Sequence, residues 1–315
     1  MLRYIGKRIL MMIPVLLGVT LVIFFIMDIA PGDAAVMILG EDATPEVLAA
    51  LREQMGLTDP FLLRWVNYVL GVVRGDFGES WRTGVPVMKE IAARLPQTFV
   101  LAFFGVGLSV CLAIPIGVIS AVKQYSLVDN ASMLIALVLA SMPGFWLGMV
   151  LILLFSLNLG WFPSTDIGGW KSYILPIITV GCVSMSTLTR MTRSTMLETI
   201  RQDYVRTARS KGEKEGKVII QHALRNALLP LVTVVGNNFG HQLGGTVMIE
   251  TVFAINGLGY YIVQAVRMKD TPAVLGALLV VCLLASLVNL CVDILYAFID
   301  PRIRSQYMKV KETKA

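Results

Sequence analysis

The side chains able to do chemistry in this chain are few, and most of them sit where water is scarce. Asn237, Asn238, His241 and Gln242 fall inside an apolar run, Asn237 and His241 on one helical face, Asn238 and Gln242 on the next. Polar groups inside a bilayer are costly and mark either a transport route or a helix contact. Gly236, Gly240 and Gly244 recur beside them at every fourth position, a ridge that lets another helix come close. Two readings fit: a wall of a translocation path, or hydrogen bonding between packed helices. Asn289 and Asp293 share a face of the last apolar run and read as a polar clamp between helices. His241 alone is a poor metal ligand, and His222 lies across the start of the run from it, so no metal site is expected.

The usual signs of catalysis are missing. The sequence holds no G-x-x-x-x-G-K phosphate loop, no H-E-x-x-H and no G-x-S-x-G. No nucleophile stands at a recognisable spacing from a base, so no catalytic residue and no enzyme is expected. Cys111, Cys182, Cys282 and Cys291 all lie in apolar runs without a C-x-x-C pair; they read as soft packing residues rather than disulfides or zinc ligands.

What must position these residues is a membrane bundle. Of 315 residues, 56% are hydrophobic and only 15% charged, against about 25% charged in soluble chains. Apolar runs near 9–28, 98–121, 131–156, 173–189, 230–249 and 273–299 fall at or above the lower limit of about 17 residues for a spanning helix, the fourth and fifth being less hydrophobic and suited to facing a polar path. The first is too long for a signal-peptide core and is expected to be retained. With the N-terminus inside, 18 of the 27 basic residues fall in inner segments, which places both termini in the cytoplasm. The net charge of +6 then follows from topology and does not call for nucleic acid. Pro14, Pro115, Pro143 and Pro176 are compatible with kinked spans.

The outer segment 30–97 opens with APGD. Helices are expected after Thr44-Pro45-Glu46, with Thr44 as cap, and after Thr58-Asp59-Pro60. GDFGES at 75–80 reads as a turn, and PVMKEIAARLP at 86–96 as a short amphipathic helix at the surface. Trp161, Phe162 and Trp170 suit an interfacial belt.

The longest inner segment is the block 190–229. TRMTRSTMLETIRQDY continues the fourth helix beyond the membrane. Met191, Met196, Leu197 and Ile200 keep an apolar stripe, with Arg190, Arg193 and Arg201 toward water or headgroups. DYVRTARSKG then forms a short helix ended by Gly212, a residue suited to the left-handed position past a helix end. Tyr204, Val205 and Ala208 line its apolar side, opposed by Arg206, Arg209 and Lys211. EKEGKVIIQHALRNALLP returns to the bilayer at Pro230. A projection this small cannot be a catalytic domain. It suits either a groove on a cytoplasmic partner or a headgroup surface.

DYVRTARSKG followed by HALRNALLP resembles the EAA loop of ATP-binding-cassette (ABC) importer permeases, in the variant of the dipeptide, oligopeptide and nickel branch. Arg206-Thr207-Ala208 stands where the wider family has Glu-Ala-Ala, Gly212 matches the family glycine, and Ser210 replaces a usual alanine. APGD (30–33), MGLTDP (55–60), GDFGES (75–80), GTVMIETVFAINGLG (245–259) and DPRIR (300–304) resemble further family blocks in family order. Ile255-Asn256 departs from the branch's Trp-Pro.

The resemblance implies an all-α integral membrane fold: six transmembrane helices, a type I ABC importer transmembrane domain with a small helical extracytoplasmic insertion. Its expected divisions are 1–29 (tip and first span), 30–97 (insertion), 98–299 (core, with the coupling loop 190–229) and 300–315 (cytoplasmic tail). It implies a coupling helix of Asp203, Tyr204, Val205, Arg206, Thr207, Ala208, Arg209, Ser210, Lys211 and Gly212 that contacts an ATPase. The implied partners are a second homologous permease, two cytoplasmic ABC ATPases and an extracytoplasmic substrate-binding protein. ATP and Mg are used by the ATPases, and no cofactor is held by this chain. Short peptides are the expected cargo, with nickel or a nickel chelate as the alternative. A secondary transporter independent of ATP is the rival of a different class; it needs intramembrane acids for ion coupling, and Asp293 is the one candidate this reading finds.

Overall fold

The computed structural model describes residues 2–165 and 168–299. The expectations for DPRIR and the tail lie outside them. The described chain is helical and forms no strand; one isolated bridge joins Glu79 and Pro86. In order the helices are α1 (Leu2–Ile29), α2 (Ala34–Leu39), α3 (Pro45–Gln54), α4 (Phe61–Val73), α5 (Val87–Val122), α6 (Leu127–Ser141), α7 (Gly144–Leu151), α8 (Ile174–Ile200), α9 (Asp203–Ser210), α10 (Glu215–Lys217), α11 (Arg225–Gly245), α12 (Val247–Val252), α13 (Leu258–Arg267) and α14 (Thr271–Ile299). Wider π-type turns follow α7 (Ile152–Asn158) and α10 (Val218–Leu224), and a 3-10 turn precedes α8. Five helical stretches are long and apolar enough to cross a membrane, and a sixth if α6 and α7 count as one broken span.

That break corrects the expectation of one continuous span over 131–156. α6 and α7 meet at 103°. Pro143 supplies no N–H and disfavours helical geometry in the residue before it. Met142 accordingly turns extended, with φ −86° and ψ 126°.

The helices fall into two compact units. One takes the chain up to Phe99 together with Ala254–Ser286. Its core gathers Val87 and Ile91 of α5, Leu258 and Ile262 of α13, and Val274 and Ala277 of α14. PVMKEIAARLP is therefore no separate surface helix. It opens the 36-residue α5, and its apolar stripe is core because α13 and α14 cover it. Two adjacent residues sew the unit. Lys269, at φ +56°, donates from Nζ to the carbonyls of Met27 (3.2 Å) and Ala30, capping the end of α1. The Asp270 carboxylate accepts from Ser80 Oγ (2.5 Å), the Trp81 N–H (3.2 Å) and the Ala273 N–H (3.3 Å).

The expected cap at Thr44 is only positional: Pro45 does start α3, but the Thr44 side chain makes no capping bond. A true side-chain cap is Asp33 of APGD, at the start of α2. It accepts from the Ala35 N–H at 2.9 Å and from Arg52 Nε at 2.8 Å, and the Arg52 guanidinium holds its carboxyl below the usual range.

The second unit holds Val100–Phe253 and the chain from Leu287. α8 is its hub, packing on α6, α7, α11 and α12. Glycines allow the close approach of α5: a Cβ at Gly105 would meet Val180 at 2.4 Å, and one at Gly117 would meet Thr192 at 2.6 Å. α8 runs unbroken to Ile200, as its sequence predicts.

Candidate functional site

α9 is short and polar, and the fold seats it firmly. Val205 and Ala208 are buried against Ala121, Met196, Val218 and Ala223, so the ends of α5 and α8 and the π-type turn make its socket. The rest of the stretch faces outward: Asp203, Tyr204, Arg206, Thr207, Arg209, Ser210, Lys211 and Gly212 are all exposed. Tyr204, read from sequence as part of the apolar side, thus lies on the presented surface. Gly212 takes φ +78° and returns its N–H to the Arg209 carbonyl at 2.9 Å. No atom lies within 4 Å of the place a Cβ would occupy there, so the backbone conformation, not crowding, asks for glycine.

Charged ties brace the foot of α9. Arg209 pairs with Glu215 at 2.7 Å. Glu213 pairs with Lys217 at 2.8 Å and His222 at 2.9 Å; Lys217 first, then His222, hold the Glu213 carboxyl below the ordinary glutamate range. What α9 offers is a short polar knob held in its socket.

The base of the knob rests on a pair the sequence reading did not find. Arg193, expected toward water or headgroups, instead reaches Asp129, with Nε to Oδ1 at 2.6 Å and Nη2 to Oδ2 at 2.7 Å. Asp129 is 1% exposed. It also accepts from Ser120 Oγ and from the Tyr125 N–H at 2.9 Å. One carboxylate therefore joins the end of α5, the turn after it, the start of α6, and α8 about two turns before its end. The available signal was Ser126 three residues before an acid, a helix-start pattern; nothing local pointed to Arg193.

α11 divides its polar residues between two faces. Gln242 is buried and donates to Ser184 Oγ of α8 at 2.9 Å, and Asn238 is half-buried. Asn237 and His241 are exposed on the neighbouring face. Gly236 meets α14 so closely that a Cβ would lie 2.0 Å from Val292. Gly240 is buried and Gly244 exposed. Asn289 is exposed and Asp293 half-buried on α14. Among the described residues no cluster of three or more His, Cys, Asp or Glu could hold a metal ion. A second acid missed from sequence is Glu250 of α12, wholly buried and accepting from Thr246 Oγ1 at 2.9 Å.

Residues 113–305 match the family described as binding-protein-dependent transport system inner membrane component, and residues 1–102 match its N-terminal region. The chain belongs to this family. As a binding-protein-dependent transport component it is similar along its whole length to named permeases. It is 41% identical to the dipeptide transport system permease protein DppB of Alkalihalophilus pseudofirmus, over 96% of this chain and 100% of that one. It is 40% identical to the glutathione transport system permease protein GsiC of Salmonella choleraesuis and of Salmonella typhi, over 96% of this chain and 99% of each. Among solved structures, two crystal forms of the inward-facing MetNI methionine ABC transporter align with TM-scores of 0.57 and 0.59 at 20% and 18% identity. Each covers 68% of this chain and 97% of the other. The fold of this transport component is that of a type I ABC importer transmembrane domain.

Proposed function

We propose that this chain is one permease of an ATP-driven importer of short peptides, and that α9 is the element through which ATPase subunits move it. The observation that carries this reading is the construction of α9: an apolar stripe locked into a socket, an exposed polar face, and braced ends. Relatives that align end to end carry dipeptides and glutathione by name, which supports a short peptide as cargo. The assembly contains this chain, a second homologous permease, two cytoplasmic ABC ATPases and an extracytoplasmic substrate-binding protein. ATP and Mg act in the ATPases; this chain holds no cofactor and breaks no bond. Both termini lie in the cytoplasm with α9, in line with the excess of Lys and Arg there.

ATP closes the ATPase pair, and the movement reaches α8 and α5 through the socket of α9. The bundle then exchanges an inward-open for an outward-open state, two arrangements of similar free energy that a modest push can reorder. Asn237 and His241, presented by α11, line the path, while Gln242 holds the helix pair together.

The test is uptake in proteoliposomes. The full assembly is expected to accumulate a labelled dipeptide only with ATP, and the isolated chain to accumulate nothing. Uphill accumulation by the isolated chain ends the reading; ATP-driven uptake of nickel without peptide uptake ends the choice of cargo.

A further inference from the structure

The sequence reads the segment 30–97 as an extracytoplasmic insertion, yet α4 is built for lipid. It reads FLLRWVNYVLGVV, and its 13 residues span about 20 Å. An apolar helix of that length is core, or an interfacial or re-entrant membrane segment. One face lies along α1. Phe61 meets Phe24 and Phe25 edge-on, with centroids at 5.4 and 6.1 Å. Arg64 pairs with Asp28 at 2.5 Å, and Trp65 Nε1 donates to Thr20 Oγ1 at 3.4 Å. Further on, Tyr68 and Val72 line, with Ile13 and Leu16 of α1 and Leu279 of α14, a half-open apolar groove of about 160 Å³.

The register is informative. As α4 advances from Phe61 to Val73, its partners on α1 step back from Phe25 toward Ile13. α4 therefore runs antiparallel to α1, beside the part of it that is apolar and long enough to cross a membrane. Whatever solvent surrounds Ile13–Phe25 also surrounds α4. The opposite face of α4 exposes Leu62, Leu63, Val66, Leu70 and Val73, continuous in character with the exposed Ile13, Leu17, Leu21 and Phe25 of α1. A helix lying on water turns a polar face outward; this one turns five aliphatic side chains and Asn67.

We infer that α4 is a re-entrant membrane helix whose free face is covered by lipid acyl chains. It enters beside the end of α1 nearest Ile29 and sinks to the level of Ile13–Leu17. Arg64 reaches back along its apolar stem to pair with Asp28 near the end of α1. The irregular chain after α4, with Arg74 and Asp76 exposed, is tolerated at that depth only beside protein or a water-filled cavity. The tip therefore turns from lipid toward an aqueous space. The inference rests on the membrane location of the chain and is independent of the cargo.

The experiment uses the full assembly in lipid nanodiscs, where reagents reach both membrane faces. Leu63, Val66 and Leu70 are each replaced by Cys after removal of the four native cysteines, with Val47→Cys on α3 as the water-exposed reference. Leu70→Cys is expected to react with a charged maleimide at least about tenfold more slowly than Val47→Cys, as charged reagents are excluded from hydrocarbon. A fluorophore at Leu70 should be quenched most by lipids spin-labelled deep in the chain, and one at Leu63 by lipids labelled near the headgroup. Equal reactivity of Leu70→Cys and Val47→Cys overturns the inference, and so does protection without lipid quenching, which would mean a protein cover. If the cysteine-free background does not assemble, a lipid-soluble photoactivated carbene on the unmodified complex gives the same answer. Labelling must then fall on 62–73 and spare 45–54.

Discussion

α4 and α9 are two short helices held in the same way and offered to opposite surroundings. Each fixes one stripe against longer helices: α4 puts Phe61, Trp65 and Tyr68 on α1, and α9 puts Val205 and Ala208 into the ends of α5 and α8. What remains outside is mostly opposite in character, Asn67 on α4 and Tyr204 on α9 apart. α4 shows Leu62, Val66, Leu70 and Val73, whereas α9 shows Asp203, Arg206, Thr207 and Ser210. The held stripe fixes where a helix sits. The free face fixes what can cover it: acyl chains for α4, water or a polar protein surface for α9. α11 makes the same division within one helix, holding with Gln242 and presenting Asn237 and His241.

The strongest way to break this contrast is to remove the anchor under α9. Arg193→Leu leaves the Asp129 carboxylate buried without its partner, an expected loss of about 3–5 kcal/mol. The purified assembly should melt at a clearly lower temperature, with uptake lost. An unchanged melting temperature would show that α8 holds α9 without the pair.

Gly212→Val comes next. A β-branched residue in the left-handed region costs roughly 1–2 kcal/mol, enough to tilt α9 while leaving its socket filled. Membrane insertion should be normal while ATP hydrolysis continues without matching uptake. Normal coupling would remove α9 from the force path.

Two changes on α11 sharpen the difference between holding and presenting. Gln242→Ala removes one buried hydrogen bond, about 1 kcal/mol, and should lower thermal stability more than uptake. His241→Ala should do the reverse, altering uptake with stability unchanged to within roughly 0.5 kcal/mol. If His241→Ala leaves transport of every tested solute untouched, its face does not line the path.

The smallest effect is electrostatic. Because Glu213 has a lowered pKa in the folded chain, its tie to Lys217 is fully present above the ordinary glutamate value. It is lost only as pH falls through the lowered one. Amide exchange at 212–217 should thus be flat across neutral pH, once corrected for the intrinsic rate, and should speed up only in acid. Loosening near neutrality would mean that another group controls the foot of α9.

Local chemistry carried much of this to the sequence level. The long apolar runs, the continuation of the fourth helix to Ile200, the Val205 and Ala208 stripe and the stop at Gly212 all follow from hydrophobic period and backbone preference within a few neighbouring residues. Pro143 was visible too, but a proline alone does not say whether a span will kink slightly or turn through 103°.

The rest depended on partners far away along the chain. Asp129 and Arg193 stand 64 residues apart, and Lys269 caps a carbonyl 239 residues before it; no local pattern encodes either pairing. α4 is the clearest instance. Its residues announce an amphipathic helix after Pro60, and the sequence alone leaves that helix in the extracytoplasmic insertion. Only its alignment along α1 sets its depth, because hydrophobicity fixes what a surface avoids while packing fixes where the surface lies.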